Sequence, residues 1–150
     1  MNERRYWIAV APRDHAAQGV ANGFVELTYG RAEPLARLMP GDGLLVYSPR
    51  ESAPHGEPLQ AFTAIGHVAE GPIFEAPVAA TAPIFRRPAA WLAASPAAIR
   101  PLIDELSFIR NKAHWGAAFR FGMLRVSRDD FAAIAIAMGR DPAADFADAL

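Results

Sequence analysis

Thirteen prolines and eleven glycines cut this 150-residue chain into short runs, and that punctuation limits the fold more than any other feature. Proline fixes its own backbone and donates no hydrogen bond, and glycine marks turns, so long helices cannot dominate. The run YWIAVA (6–11) stops at Pro12 and predicts a strand buried on both faces. A short helix is expected over 15–21, capped by Asp14 and ended by Gly23, and then a strand over FVELTYG (24–30). AEPLARLM (32–39) predicts one or two helical turns, with Pro34 tolerated near the start. PGDG (40–43) is a turn, LLVYS (44–48) the next strand and PRESAPHGEP (49–58) an exposed loop. The segment 59–71 reads as a long strand, with short strands over 73–79 and 82–88.

Two further helices follow from their caps. One is expected over 95–106, with Ser95 as cap and Pro96 in the first position. The other covers 127–138, with Ser127 and Asp130 in capping-box spacing and Gly139 as its stop. Residues 140–150 are polar and alanine-rich, and are expected to hang as a loose tail outside a domain of 1–139. Many short strands with few short helices indicate one α+β domain. Its expected core is a curved mixed β-sheet or barrel with short helices packed around it.

The length supports one core, and 52% hydrophobic with 21% charged residues indicates a globular chain. A net charge of −1 supplies no bulk field toward nucleic acid, so any such contact must use a local patch. The absence of cysteine excludes disulfides, thiolate metal sites and cysteine nucleophiles. Arg4 and Arg5 precede only a few apolar residues, unlike a signal peptide, and no segment nears the roughly 18 apolar residues of a membrane span. A soluble cytoplasmic protein is the expectation.

Hydrolytic chemistry finds little support. His15, His55, His67 and His114 show no HxxxH or HExxH spacing. Paired carboxylates, Asp104–Glu105 and Asp129–Asp130, fall on expected helices where capping or solvation explains them. There is no GxSxG elbow and no phosphate-binding glycine loop, and no metal or cofactor is expected.

Aromatic and basic residues are more informative. LSFIRNKAHWGAAFRFG (106–122) carries Arg110, Lys112, His114 and Arg120 among Phe108, Trp115, Phe119 and Phe121, without a single acid. Lys112 is the only lysine beside fourteen arginines, a bias that reflects composition and lowers its weight as a clue. Phe85 precedes Arg86 and Arg87, and these cations bracket the expected helix together with Arg110 and Lys112. Bases outside a duplex are held by aromatic faces, with cations on the phosphates. Within 106–122, Phe108, Phe119 and Phe121 are expected in the core. Asn111, Lys112, His114 and Trp115 form the turn that would face a nucleotide.

The ordered set RDH…GV…GF, PGD…YSP, QAFTAIG, FRR and PLIDELSFIRNKAHWG resembles the EVE-domain family, over essentially residues 4–138. The resemblance implies a PUA-like curved sheet and a kinship with YTH domains, which hold a methylated adenine in an aromatic cage. It implies Phe24 as one wall, where YTH domains carry tryptophan, and Phe85 as a second. Tyr47 and Ser48 become floor candidates, Asn22 a reader of the base edge, and Trp115 a further pocket residue. Arg86, Arg87, Arg110, Asn111 and Lys112 would meet the backbone phosphates. The implied partner is a modified nucleobase in DNA or RNA, single-stranded or flipped, and EVE domains are implied to read modified cytosines among others. The expected function is therefore a non-catalytic module. The alternatives are an enzyme of the related ASCH type that uses Lys112 on a modified nucleoside, and a small-metabolite binder.

Overall fold

A computed structural model of the chain describes residues 3–147. The apolar run near the start forms strand β1 (Tyr6–Val10), buried at every position. Side chains alternate along a strand, so Tyr6, Ile8 and Val10 enter one core with Tyr47, Phe62, Phe119 and Phe131. Trp7 and Ala9 enter another with Val25, Leu27 and Leu35. That two-sided burial is why the sequence shows a continuous apolar run there.

Six strands make one curled half-barrel sheet. They are β1, β2 (Phe24–Val25), β3 (Gly43–Arg50), β4 (Pro58–Val68), β6 (Phe85–Leu92) and β8 (Met123–Val126), in the order β2-β6-β4-β3-β1-β8. Strands β1 and β3 run parallel, and the other neighbours are antiparallel. Two short strands lie off this path: β5 (Phe74–Glu75) pairs with β6, and β7 (Ala97–Ala98) with β4. The β3–β4 register slips between Val46 and Tyr47 and again between Ser48 and Arg50. Such bulges bend a sheet and increase its twist.

The helices are short: α1 (Arg13–Asn22), α2 (Ala32–Leu35), α3 (Arg128–Ala137) and α4 (Pro142–Asp145), with 3₁₀ helices at Arg100–Glu105 and Lys112–Phe119. Helix α3, both 3₁₀ helices and Phe146 just after α4 cover the Tyr6 face, and α2 covers the Trp7 face. Between β1 and β3 the PGDG turn has a structural duty. Asp42 is buried, and its carboxylate accepts from the Trp7 indole at 2.9 Å and from the backbone N–H groups of Arg5 and Met39.

Several local expectations are corrected. Asp14 does not cap α1. Pro12 occupies that position without a side-chain bond, and the Asp14 carboxylate accepts from the His15 N–H instead. The strand expected over 24–30 pairs only at Phe24–Val25, because Thr28 turns away to bond Val10 and Gly30 adopts φ 65°. The helix expected from Ser95 starts at Arg100 and is 3₁₀, because Ala97–Ala98 are drawn into pairing with β4. Asp130 does not close a capping box. Ser127 accepts its N–H at 3.1 Å, but the carboxylate turns to Ser107 and Phe108.

Residues 140–147 do not hang loose. Phe146 is buried against Phe131 and stacks 4.4 Å from the His67 ring. Arg140 grips both carboxylate oxygens of Asp145, and His67 Nε2 donates to the Asp145 carbonyl at 2.9 Å. One aromatic inside an alanine-rich run suffices to dock it, and burying a phenylalanine is worth about 1.5–3 kcal/mol. The remainder of the expected tail, 148–150, lies outside the described residues.

Candidate nucleic-acid interface

The corner where α1, β2 and β6 meet holds Phe24. Gly19 has no side chain there for good reason: an added Cβ would collide with the Phe24 carbonyl oxygen, so glycine alone lets α1 seat on β2. Gly23 closes the helix at φ 78°, a left-handed conformation that glycine adopts freely. Phe24 pairs with Pro88 and Val25 with Arg87, which sets Glu26 across from Arg86. Arg86 Nε donates to Glu26 Oε1 at 2.8 Å, and the guanidinium carbon lies 4.0 Å from the centre of the Phe24 ring. Both charged side chains are about nine-tenths buried, at 12% and 9% exposure. From α1, His15 brings a buried Nδ1 within 3.4 Å of Glu26 Oε2, without an aligned hydrogen bond. Trp91 adds a hydrogen bond from its indole to the Phe24 carbonyl at 3.0 Å. A planar cation, an aromatic face, a carboxylate and an imidazole thus converge. Asn22 stands beside them, exposed, with its amide donating to the Gln18 carbonyl.

Other expected pocket members are not brought to this corner. Phe85 and Arg87 alternate with Arg86 along β6 and face the opposite side of the sheet. Phe85 packs with the Trp7 core, and Arg87 reaches the Leu35 carbonyl. Phe24 and Phe85 therefore do not face each other as two walls. Tyr47 points into the main core, stacked 4.1 Å from Phe119, and burial pushes its hydroxyl up to about 12 despite the opposing pull of Arg100. Ser48 is fully buried, and its hydroxyl shares a 2.7 Å hydrogen bond with Thr63. Neither offers a free floor in this conformation.

The acid-free stretch forms a separate surface. Asn111 accepts from the Ala113 N–H and so caps the second 3₁₀ helix. Lys112 donates to the carbonyls of Ile103 at 2.8 Å and Leu106 at 3.0 Å, closing the open end of the first. An ammonium suits that task because it can donate three bonds from one point. Trp115 is half-buried, with the Arg100 guanidinium 5.5 Å from its ring, and Arg110, His114 and Arg120 are exposed. Phe119 lies in the core as expected and Phe108 is partly buried there, but Phe121 is 85% exposed. The short turn at Arg120 to Gly122, with φ 82° at the glycine, carries that ring outward.

Sequence reasoning missed Glu26, His15 and Trp91. Glu26 could have been found, because it follows Phe24 by two residues in an alternating segment and so shares its face. His15 and Trp91 arrive from distant segments and left no local signal. Among the described residues, no group of three His, Asp or Glu gathers as a metal would need, and no helix is long and apolar enough to cross a membrane. Two surface concavities lie elsewhere, one along Glu75 to Ile84 and one between Leu102 and the Ile136 face of α3.

This half-barrel, with its helices on both faces, is matched by the family model described as EVE domain over residues 5–137. The chain belongs to the EVE-domain family. Curated relatives agree along nearly the whole domain. A UPF0310 protein of Mycolicibacterium vanbaalenii is 42% identical over 132 residues, covering 88% of this chain and 91% of the relative. A UPF0310 protein of Mesorhizobium japonicum is 42% identical over 136 residues, with 89% and 91% covered. The UPF0310 protein YdcG of Bacillus subtilis is 37% identical over 134 residues, with 89% and 92% covered. The EVE domain is PUA-like, a fold of the nucleic-acid-binding kind.

Proposed function

We propose that this EVE domain is a non-catalytic module that holds a modified or flipped nucleobase of DNA or RNA against Phe24. The observation that carries the reading is the Arg86 guanidinium lying 4.0 Å from the Phe24 ring centre. A guanidinium is a planar, delocalised group that stacks as a base does, so it marks a slot of base-like thickness. A base entering that slot displaces Arg86, which is then free to meet a phosphate. Glu26, relieved of its ion pair, becomes an acceptor for an exocyclic amino group, as carboxylates accept from cytosine N4. A methyl group on the base adds apolar area against the ring. Stacking contributes about 1–3 kcal/mol per base, enough to offset the few kcal/mol of unstacking at a single-stranded or weakened site. Arg110 and Arg120, exposed and without acids nearby in sequence, would add phosphate contacts and strong salt dependence.

The test uses labelled single strands carrying 5-methylcytosine, 5-hydroxymethylcytosine, N6-methyladenine or no modification. Parent and Phe24→Leu, which keeps apolar volume but no ring, are compared by fluorescence anisotropy. The parent is expected to prefer one modified strand, and the variant to lose about tenfold or more in affinity, the loss of one stacked base. Equal binding by the two proteins, or by modified and plain strands, sinks the proposal.

A further inference from the structure

We infer that Tyr29 and Phe121 form a stacking platform for bases of the strand that flank the held nucleotide, an inference that rests on the nucleic-acid reading above. Both rings stand almost fully in solvent, Tyr29 at 80% and Phe121 at 85% exposure. A single exposed aromatic is ordinary, but two on one rim ask for an occupant.

The backbone shows why they share a rim. The Val10 N–H donates to the Gly122 carbonyl at 2.8 Å, and the Val10 carbonyl accepts from the Thr28 N–H at 3.1 Å and the Thr28 hydroxyl at 2.9 Å. The N–H and C=O of one strand residue point to the same side, so Gly122 and Thr28 are held beside each other at the end of β1. Phe121 precedes the first and Tyr29 follows the second. Gly122 and Gly30, both at positive φ, turn the chain at these points. Three bonds to one residue make the platform rigid where a loop tip would not be.

The surroundings select the occupant. Arg120 adjoins Phe121 in a stretch, 106–122, that contains no acid, and Arg31 lies two residues from Tyr29, in an exposed and therefore weak 3.6 Å ion pair with Glu33. Exposed aromatics interleaved with cations fit a polyanion that carries flat rings, and single-stranded nucleic acid is that ligand. Placement relative to the slot is also suitable. Phe24 and Tyr29 are five residues apart, at most about 18 Å along an extended chain. At about 3.4 Å per nucleotide along one strand, that reaches bases within about five positions of the held one.

The experiment compares parent, Tyr29→Ala/Phe121→Ala and Phe24→Leu against two probes, a 12-nucleotide single strand and the free nucleoside of the same preferred base. The double variant is expected to fold with an unchanged thermal midpoint, since both rings are exposed. It should bind the 12-mer about tenfold or more weakly, with the same salt slope, because no charge is removed. Nucleoside binding should be unchanged. Abasic sites on either side of the target base should weaken the parent to the variant's level. Parent-like affinity of the double variant for the 12-mer overturns the platform while leaving the Phe24 slot standing. Loss of nucleoside binding in the double variant overturns it too, and so does a parent dimer that the double variant turns into a monomer. Failure of the parent to bind either probe removes the slot and the platform together.

Discussion

Two of the arginine–aromatic pairs in this molecule, Arg86 on Phe24 and Arg100 on Trp115, behave as opposites. At Phe24 the guanidinium lies 4.0 Å from the ring centre and is fixed by the Glu26 carboxylate, with both charges nearly buried. At Trp115 the guanidinium of Arg100 lies 5.5 Å away, exposed, and is steadied by the uncharged Gln60 side-chain oxygen at 3.1 Å. Burial makes the difference. In a desolvated corner a cation needs a partner charge, and its removal leaves that partner uncompensated. On a wet surface the same contact is weak and screened by salt, so the cation remains available to an outside anion.

The largest expected consequence is on stability at the buried pair. Phe24→Ala should cost about 3 kcal/mol in urea unfolding, against about 1 kcal/mol for Trp115→Ala at the half-buried site. Equal costs would erase the contrast between the two corners. Next comes charge. Arg100→Ala should leave unfolding within about 0.5 kcal/mol of the parent while lowering the slope of log affinity against log salt by about 0.7 on a single strand. An unchanged slope would remove Arg100 from any phosphate-facing surface. The smallest effect belongs to the C-terminal cap, remote from both pairs. Burial lowers the His67 pKa from 6.5, with its bond to the Asp145 carbonyl pulling the other way. Its contribution is therefore complete above pH 6.5 and fades as pH falls from there through the depressed folded value. His67→Gln should flatten that part of the stability-against-pH curve, and an unaltered curve would assign the acid loss to other groups.

Much of the fold was legible because burial writes itself into local pattern. The two-faced burial of β1, the α3 cap at Ser127 and the stop at Gly139 all depend on neighbours in sequence. What was not legible depends on distant segments. Ser95 reads as a helix cap until β4 claims Ala97 and Ala98, and a polar tail hides Phe146 until His67 and Phe131 receive it. In the candidate site, the sequence marks both Phe24 and Arg86, but as wall and phosphate contact, not as partners. Their pairing depends on the β2–β6 register, which no short window contains. The place of Phe85 depends on the same register, since one residue of alternation moves a side chain to the other face. Phe121 resembled a core residue because it follows Phe119 by two. The turn at Arg120 breaks that period.

Lys112 has a practical consequence for anyone who handles this protein. The chain offers a single side-chain amine, and that amine clasps the carbonyls of Ile103 and Leu106. Amine-reactive dyes and surface-coupling chemistry would have only it and the N-terminus to attack. Conjugation there would unfasten the end of the first 3₁₀ helix while reporting on the second, so an immobilised or labelled sample would no longer carry the same 106–122 surface. Attachment through an introduced thiol on the far side of the sheet avoids the clasp.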